Sequence, residues 1–271
     1  MAWFFFKSGM FYKERIIYEV FINGLKKLII PAVLFSAIGF FCYYIIERPK
    51  TTFFDEMSFF YVFGTFHGNT PIWFLYSLFV VQILYSLLRK CKINNILIVI
   101  FSIGLYYADR LIGFRPYPTY NIPLGLLFFA LGNHLKDIQY NKNTIIICLV
   151  IYSISLLFHI LIDFYPGEFT PFLITIPFAL AGCILTNNLF KSFPCICVTP
   201  LRFIGHHAME FYCTHIIIIY LIEQFIIHHT IPINKIVFEF IAFGLYLLLF
   251  SIIIHYFKMK QLQWLFGNRN R

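Results

Sequence analysis

Long apolar runs, broken by short polar clusters, recur along the chain near 26–46, 71–88, 94–109, 120–136, 144–163, 170–190, 203–224 and 236–257. Each approaches the roughly 20 residues that a helix needs to cross the hydrocarbon core of a bilayer. The pattern predicts an all-α polytopic membrane helix bundle with about eight transmembrane helices. No repeat, low-complexity tract or soluble segment interrupts it, so residues 1–271 are expected to form a single integral-membrane domain. Pro31, Pro71, Pro123 and Pro171 fall in the first turn of a predicted helix, where a missing N–H is harmless, whereas Pro177 lies deeper and should kink its span. The longest outer connection, 47–70, mixes Phe and Tyr with polar residues; it is expected either to lie along the membrane interface or to lid an outer cavity.

An even number of crossings puts both termini on one face, and the cations say which. With the N-terminus inside, the inner segments hold sixteen of the 21 Lys and Arg residues, including Lys7, Lys13, Arg15, Lys26, Lys27, Arg89, Lys90 and Lys136. The outer loops hold Arg48, Lys50, Arg110, Arg115 and Lys235. The positive-inside rule then makes both termini cytoplasmic.

Composition closes off other classes. With 60% hydrophobic, 21% aromatic and only 12% charged residues, the chain carries more apolar surface than a water-soluble globule of 271 residues can bury, so lipid must cover the remainder. The net charge of +9 comes from short clusters between apolar runs rather than from one basic face, which argues against nucleic acid as a partner. The seven Cys fall mostly within spans or at their inner ends and read as small apolar packing. Cys195 and Cys197 lack zinc-ligand spacing and a second ligand pair, so no metal site is expected. Dense Ile, Phe and Lys usage suggests an AT-rich bacterial genome and hence the bacterial inner membrane.

Candidate chemistry concentrates on one span. The stretch LRFIGHHAMEFYCTHIIIIYLIEQ, residues 201–224, carries His206, His207, Glu210, Thr214, His215 and Glu223. Glu210 is four residues from His206 and three from His207, so it can meet either on one helical face. Such a stripe either lines a watered pocket, with His as proton carrier and Glu as its orienting partner, or is interhelical hydrogen-bond glue without chemistry. His159 and His255 lie near helix ends and read as interfacial. No phosphate-binding Gly loop, nucleophile elbow or HExxH motif is present.

Five strings, in order, resemble one family. WFFFKSGMFY resembles the end of the second helix of the acyltransferase-three family of membrane acyltransferases, and LKKLIIPAVLFS its basic loop and third helix. TPIWFLYSLFVVQILY, IPLGLLFFALGNHLKD and LRFIGHHAMEFYCTH are similar to three further helices, with His215 at the terminal His of the last signature. Ala208 stands where that signature has Ser. The nearest branch looks like the fucose 4-O-acetylases and polysaccharide O-acetyltransferases.

The resemblance implies a membrane-bound O-acyltransferase moving an acyl group, usually acetyl, from acyl-CoA to a hydroxyl of a cell-envelope polysaccharide or its sugar precursor. It implies acetyl-CoA or another acyl-CoA as co-substrate, no bound cofactor, and as partners the acyl-CoA donor, a cell-envelope glycan acceptor and membrane lipid. His215 and Glu210 are then the expected catalytic residues, and Trp73, Ser8, Gly9 and His206 the expected substrate-binding ones. Ser8 and Gly9 would sit where the second helix reaches the cytoplasmic loop, Gly9 allowing close backbone approach. The match starts near the end of the family's second helix, so the chain is expected to be N-terminally truncated and to lack the first helix with its Arg and catalytic His. Two other readings stay open: a membrane protein that exports or binds lipid-linked glycans, and an inactive remnant.

Overall fold

The computed structural model describes residues 1–48, 52–112, 119, 121–158, 172–192, 207–228, 243–250 and 252. Among them the regular structure is all helix: α1 (Ala2–Met10), α2 (Ile17–Gly24), α3 (Ile30–Glu47), α4 (Phe53–Phe63), α5 (Trp73–Lys90), α6 (Asn95–Ile112), α7 (Ile122–Leu135), α8 (Lys142–Leu157), α9 (Phe172–Ser192) and α10 (Ala208–His228). Residues 243–250 are also helical.

Two helical runs, Ile17–Glu47 and Thr70–Lys90, are long and apolar enough to cross a membrane, and Asn95–Asp109, Ile122–Leu135, Lys142–Leu157 and Leu173–Asn188 are shorter apolar helices. Only 28% of the first run's apolar window is buried within the protein. Apolar side chains on that helix, among them Val33, Ile38, Phe41 and Ile45, are exposed, as expected for a surface that meets lipid.

The first run starts earlier than its hydropathy window predicts, and Pro31 supplies a reason. A proline has no N–H, and its ring collides with the carbonyl four residues back. Ahead of it, Leu25–Ile29 forms a π turn, with the Ile30 N–H bonded to Leu25 O, so that the wider turn takes up the misfit and the helix continues. Pro123 occupies the first turn of α7, as predicted. Pro177 lies inside α9, which is helical on both sides of it.

The chain divides into two compact units, Met1–Phe21 with Ser77–Leu201, and Ile22–Tyr76 with Arg202–Arg271. In the first, α7 is the centre: Pro123 through Ala130 are all buried, a helix covered on every face. α1 lies against it at backbone contact, with Phe5 and Phe6 buried. A Cβ on Gly9 would sit 2.0 Å from Phe129 O, and one on Gly132 1.9 Å from Phe6 O. Amides stitch the neighbours together: Tyr85 Oη donates to Asn95 Oδ1 (2.6 Å), Asn95 Nδ2 to Asn133 Oδ1 (3.2 Å), and Asn133 Nδ2 to Gly9 O (3.2 Å). α8 and α9 pack through Cys148, Ala181 and Ile184.

In the second unit, the connection between α3 and α5 is an ordered structure. Thr52 and Asp55 form a reciprocal capping box that starts α4, and Gly64 ends it in the left-handed conformation at φ 70°. The backbone and side-chain hydrogen bonds from Thr52 hold the Asp55 carboxyl below its ordinary range. After Gly64 the chain folds back. Ser36 Oγ and Thr65 Oγ1 are hydrogen-bonded at 2.8 Å, and the Phe66 N–H donates to Ser36 Oγ at 2.9 Å. Asn69 Nδ2 donates to Phe35 O (3.3 Å) and to Cys213 O (3.0 Å), tying the loop to α3 and α10. Tyr246 and Phe250 pack on Phe211, Ile218 and Ile222 of α10.

Candidate functional site

α10 carries the polar stripe expected from the sequence. Its Glu210 carboxylate is 3.5 Å from His207 Nδ1, so of the two reachable histidines the pairing among described residues is with His207; His206 lies outside the described residues, as do His159 and His255. Thr214 is buried and donates to Glu210 O at 2.8 Å, which turns its hydroxyl back along the helix.

His215 is half-buried, and its Nδ1 lies 2.8 Å from Tyr212 O and 3.2 Å from Phe211 O. Carbonyl oxygens only accept, so Nδ1 carries the proton and, in the neutral ring, Nε2 holds the lone pair. A histidine anchored in this way can accept a proton or orient a hydroxyl through Nε2. Tyr212, one turn earlier, donates its hydroxyl to Pro71 O and lies edge-on to Phe74, 5.5 Å between centroids.

Trp73 opens α5 and is buried, its ring edge-on to Phe74. Gly9 is also buried; the backbone that approaches it belongs to α7. Ser8, its neighbour on α1, is partly covered. Thus Trp73, Glu210 and His215 fall in the second unit and Ser8 and Gly9 in the first.

The first unit holds an open pocket of about 520 Å³ lined by Tyr12, Glu14, Arg15, Ile16, Ile17, Ser86, Arg89 and Lys90. Arg89 is committed within it, donating to Glu14 (3.1 Å) and to Ile93 O (3.3 Å). Arg15 and Lys90 are exposed at its wall. Two cations beyond the internal pair suit an anionic ligand, and guanidinium in particular suits phosphate.

The strongest polar constellation in the second unit escaped the sequence reading. Glu56 of α4 is only 4% exposed, and both of its carboxylate oxygens lie against His67 Nδ1, at 3.0 and 2.9 Å. The His67 ring is held between Phe59 (3.5 Å between centroids, 26° between planes) and Tyr43 (5.3 Å, 18°). A signal for it does exist: T-x-x-D at Thr52–Asp55 and glycine at position 64 bracket a short helix, and reversal after Gly64 returns His67 to the face that bears Glu56.

Helices that leave apolar surface uncovered define the class of the protein as a membrane-embedded helical one. The model of the acyltransferase-3 family, described as an acyltransferase domain, matches residues 1–256, and the chain belongs to that family of membrane acyltransferases. No curated protein and no solved structure matches it.

Proposed function

We propose that the protein is a multi-pass inner-membrane O-acyltransferase that moves an acetyl group from acetyl-CoA to a hydroxyl of a cell-envelope polysaccharide or of its sugar precursor. The observation that carries this reading is the family match over residues 1–256. The basic pocket of the first unit supports a CoA donor. Its segments, Tyr12–Ile17 and Ser86–Lys90, belong to stretches that the positive-inside pattern assigns to the cytoplasm, where acyl-CoA is found. The same pattern, with about eight crossings, keeps both termini on that side.

In this account Arg15 and Lys90 hold donor phosphates, while His215 orients the reacting hydroxyl through Nε2. Phosphate contacts act on ground state and transition state alike, so their loss raises KM rather than lowering kcat. An Arg15→Glu, Lys90→Glu protein should raise the KM for acetyl-CoA about 10- to 100-fold, as expected for charge-assisted hydrogen bonds worth about 1.5–3 kcal/mol. An unchanged KM in steady-state transfer assays would remove the pocket from the donor site.

His215→Ala should separate chemistry from folding. Its hydrogen bonds run to carbonyls of its own helix, so stability should change by less than about 1 kcal/mol. Acetyl transfer should fall about 100-fold or more if the ring handles a proton. Full-rate transfer by a folded variant would strip His215 of that role. The competing reading, glycan export, predicts glycan movement across the membrane without acetylation.

A further inference from the structure

Glu14 has the wrong charge for the wall it helps to form. Arg15, Arg89 and Lys90 make the first unit's pocket cationic, and Glu14 is the acidic side chain among its lining residues. Glu14 Oε1 accepts from Arg89 Nη2 at 3.1 Å, while Arg89 Nη1 donates to Ile93 O at 3.3 Å. A guanidinium presents its N–H donors as a planar fork that matches two oxygens of one oxyanion. Contact through one nitrogen and one carboxylate oxygen leaves that paired geometry unused.

The link between α1 and α2, residues 11–16, is held without this pair. Two residues before Glu14, Tyr12 Oη donates to Ser86 Oγ at 3.2 Å, and the Tyr12 ring lies edge-on to Tyr85 and Phe129, 4.8 and 5.8 Å between centroids. Those contacts anchor the link to α5 and α7. The Glu14 side chain is 70% exposed, and an ion pair so open to water contributes little to stability. A phosphate monoester, with a charge of about −1.5 to −2 near neutral pH and oxygens that engage the fork in pairs, outcompetes a single carboxylate there.

We propose that Glu14 is a built-in competitor of the donor: Glu14 and a CoA phosphate contend for the Arg89 guanidinium, and the winner sets the pocket's affinity. The inference rests on the donor reading above and adds to it a third phosphate ligand and a regulator. On arrival of the donor, Glu14 turns out to water and Arg89 joins Arg15 and Lys90 on the phosphates. An anion of lower charge cannot displace the carboxylate, so the exchange selects donors that carry phosphates over small monoanions such as acetate.

The test is calorimetric titration of CoA, which cannot turn over, into the full chain held in phosphatidylcholine vesicles, whose headgroups carry no net charge. Glu14→Gln should tighten the Kd about 3- to 10-fold, and Glu19→Gln, exposed on α2 outside the pocket, should leave it unchanged within about twofold. In an Arg89→Gln background the effect of Glu14→Gln should shrink to that of Glu19→Gln, because the contested group is gone. A Kd that is unchanged or weaker in Glu14→Gln is the result of a plain loop tie and would overturn the proposal. Equal tightening with and without Arg89 would overturn it too, by showing a general charge effect. If Arg89→Gln does not accumulate, Arg89→Lys takes its place, which keeps the charge and removes the fork: undiminished tightening there would overturn it equally. CoA binding by the wild type with an indifferent Glu14→Gln defeats only the competitor; no CoA binding by either protein defeats the donor pocket and the competitor with it.

Discussion

Gly132→Ala is expected to prevent the first unit from folding stably. The added Cβ would lie 1.9 Å from Phe6 O, an approach that carbon and oxygen cannot make, and the obstacle is backbone rather than a side chain that can swing aside. Relief requires α1 and α7 to separate. That would open the packing of Phe5 and Phe6, both essentially unexposed, and stretch the Asn133 to Gly9 hydrogen bond. Overpacking alone costs about 1–3 kcal/mol, and the loss of close-packed helix contact adds to it, so a loss of about 3 kcal/mol or more is expected. Gly9→Ala should behave alike, because its Cβ would meet Phe129 O at 2.0 Å. Gly104, on α6, has nothing within 4 Å of its added Cβ and is the control: Gly104→Ala should be neutral or stabilising by up to about 1 kcal/mol. The measurement is the temperature at which half of the detergent-extracted protein stays monodisperse. A Gly132→Ala protein as heat-resistant as Gly104→Ala would show that α1 and α7 do not touch as described.

Gly68→Ala is expected to abolish the organisation of the loop that carries His67. Gly68 has φ +95°, a conformation L side chains rarely adopt, and its added Cβ would sit 2.3 Å from Gly39 O on α3. Strain of about 1–3 kcal/mol and a backbone collision act together there. The loop depends on short-range geometry: Thr65, Phe66 and Asn69 all bond to groups on α3 or within the loop itself. Displacing Gly68 moves the residue next to it, so His67 should leave Glu56 and the protein should lose about 1–3 kcal/mol of stability. Membrane insertion should persist, because the apolar runs on either side are untouched. A Gly68→Ala protein as heat-resistant as the wild type after detergent extraction would mean that the loop is not held against α3 as described.

How much of this was visible in the sequence depends on the range of the interaction. The apolar helices are legible because a run of apolar residues is a local property, and the first-turn position of Pro123 follows from proline's own geometry; Pro31 instead stands within the continuous Ile17–Glu47 run, just after its π turn. The early start of the Ile17–Glu47 run arises because Lys26 and Lys27 lower local hydropathy while leaving the helical backbone intact, and the predicted 144–163 span stops short, at Leu157. The spacing of Glu210 from two histidines was legible; pairing with His207 required side-chain geometry. Gly9 was singled out for close backbone approach, but its neighbour at Phe129 is 120 residues away and no pattern along the chain names it. The Glu56–His67 contact is not a spacing on one helix: it depends on the chain reversal after Gly64, for which the Thr52–Asp55 capping box and Gly64 are the local signals.

The central claim is acyl transfer, and its most direct measurement is a dual-label assay on the full chain reconstituted in vesicles of bacterial lipid with envelope glycan present. Acetyl-CoA carries one label in the acetyl group and another in the CoA moiety. The account predicts that acetyl label enters the glycan as an alkali-labile ester, while an equal amount of free CoA label appears and none joins the glycan. Free CoA without labelled glycan, or neither product at saturating acetyl-CoA, would contradict it.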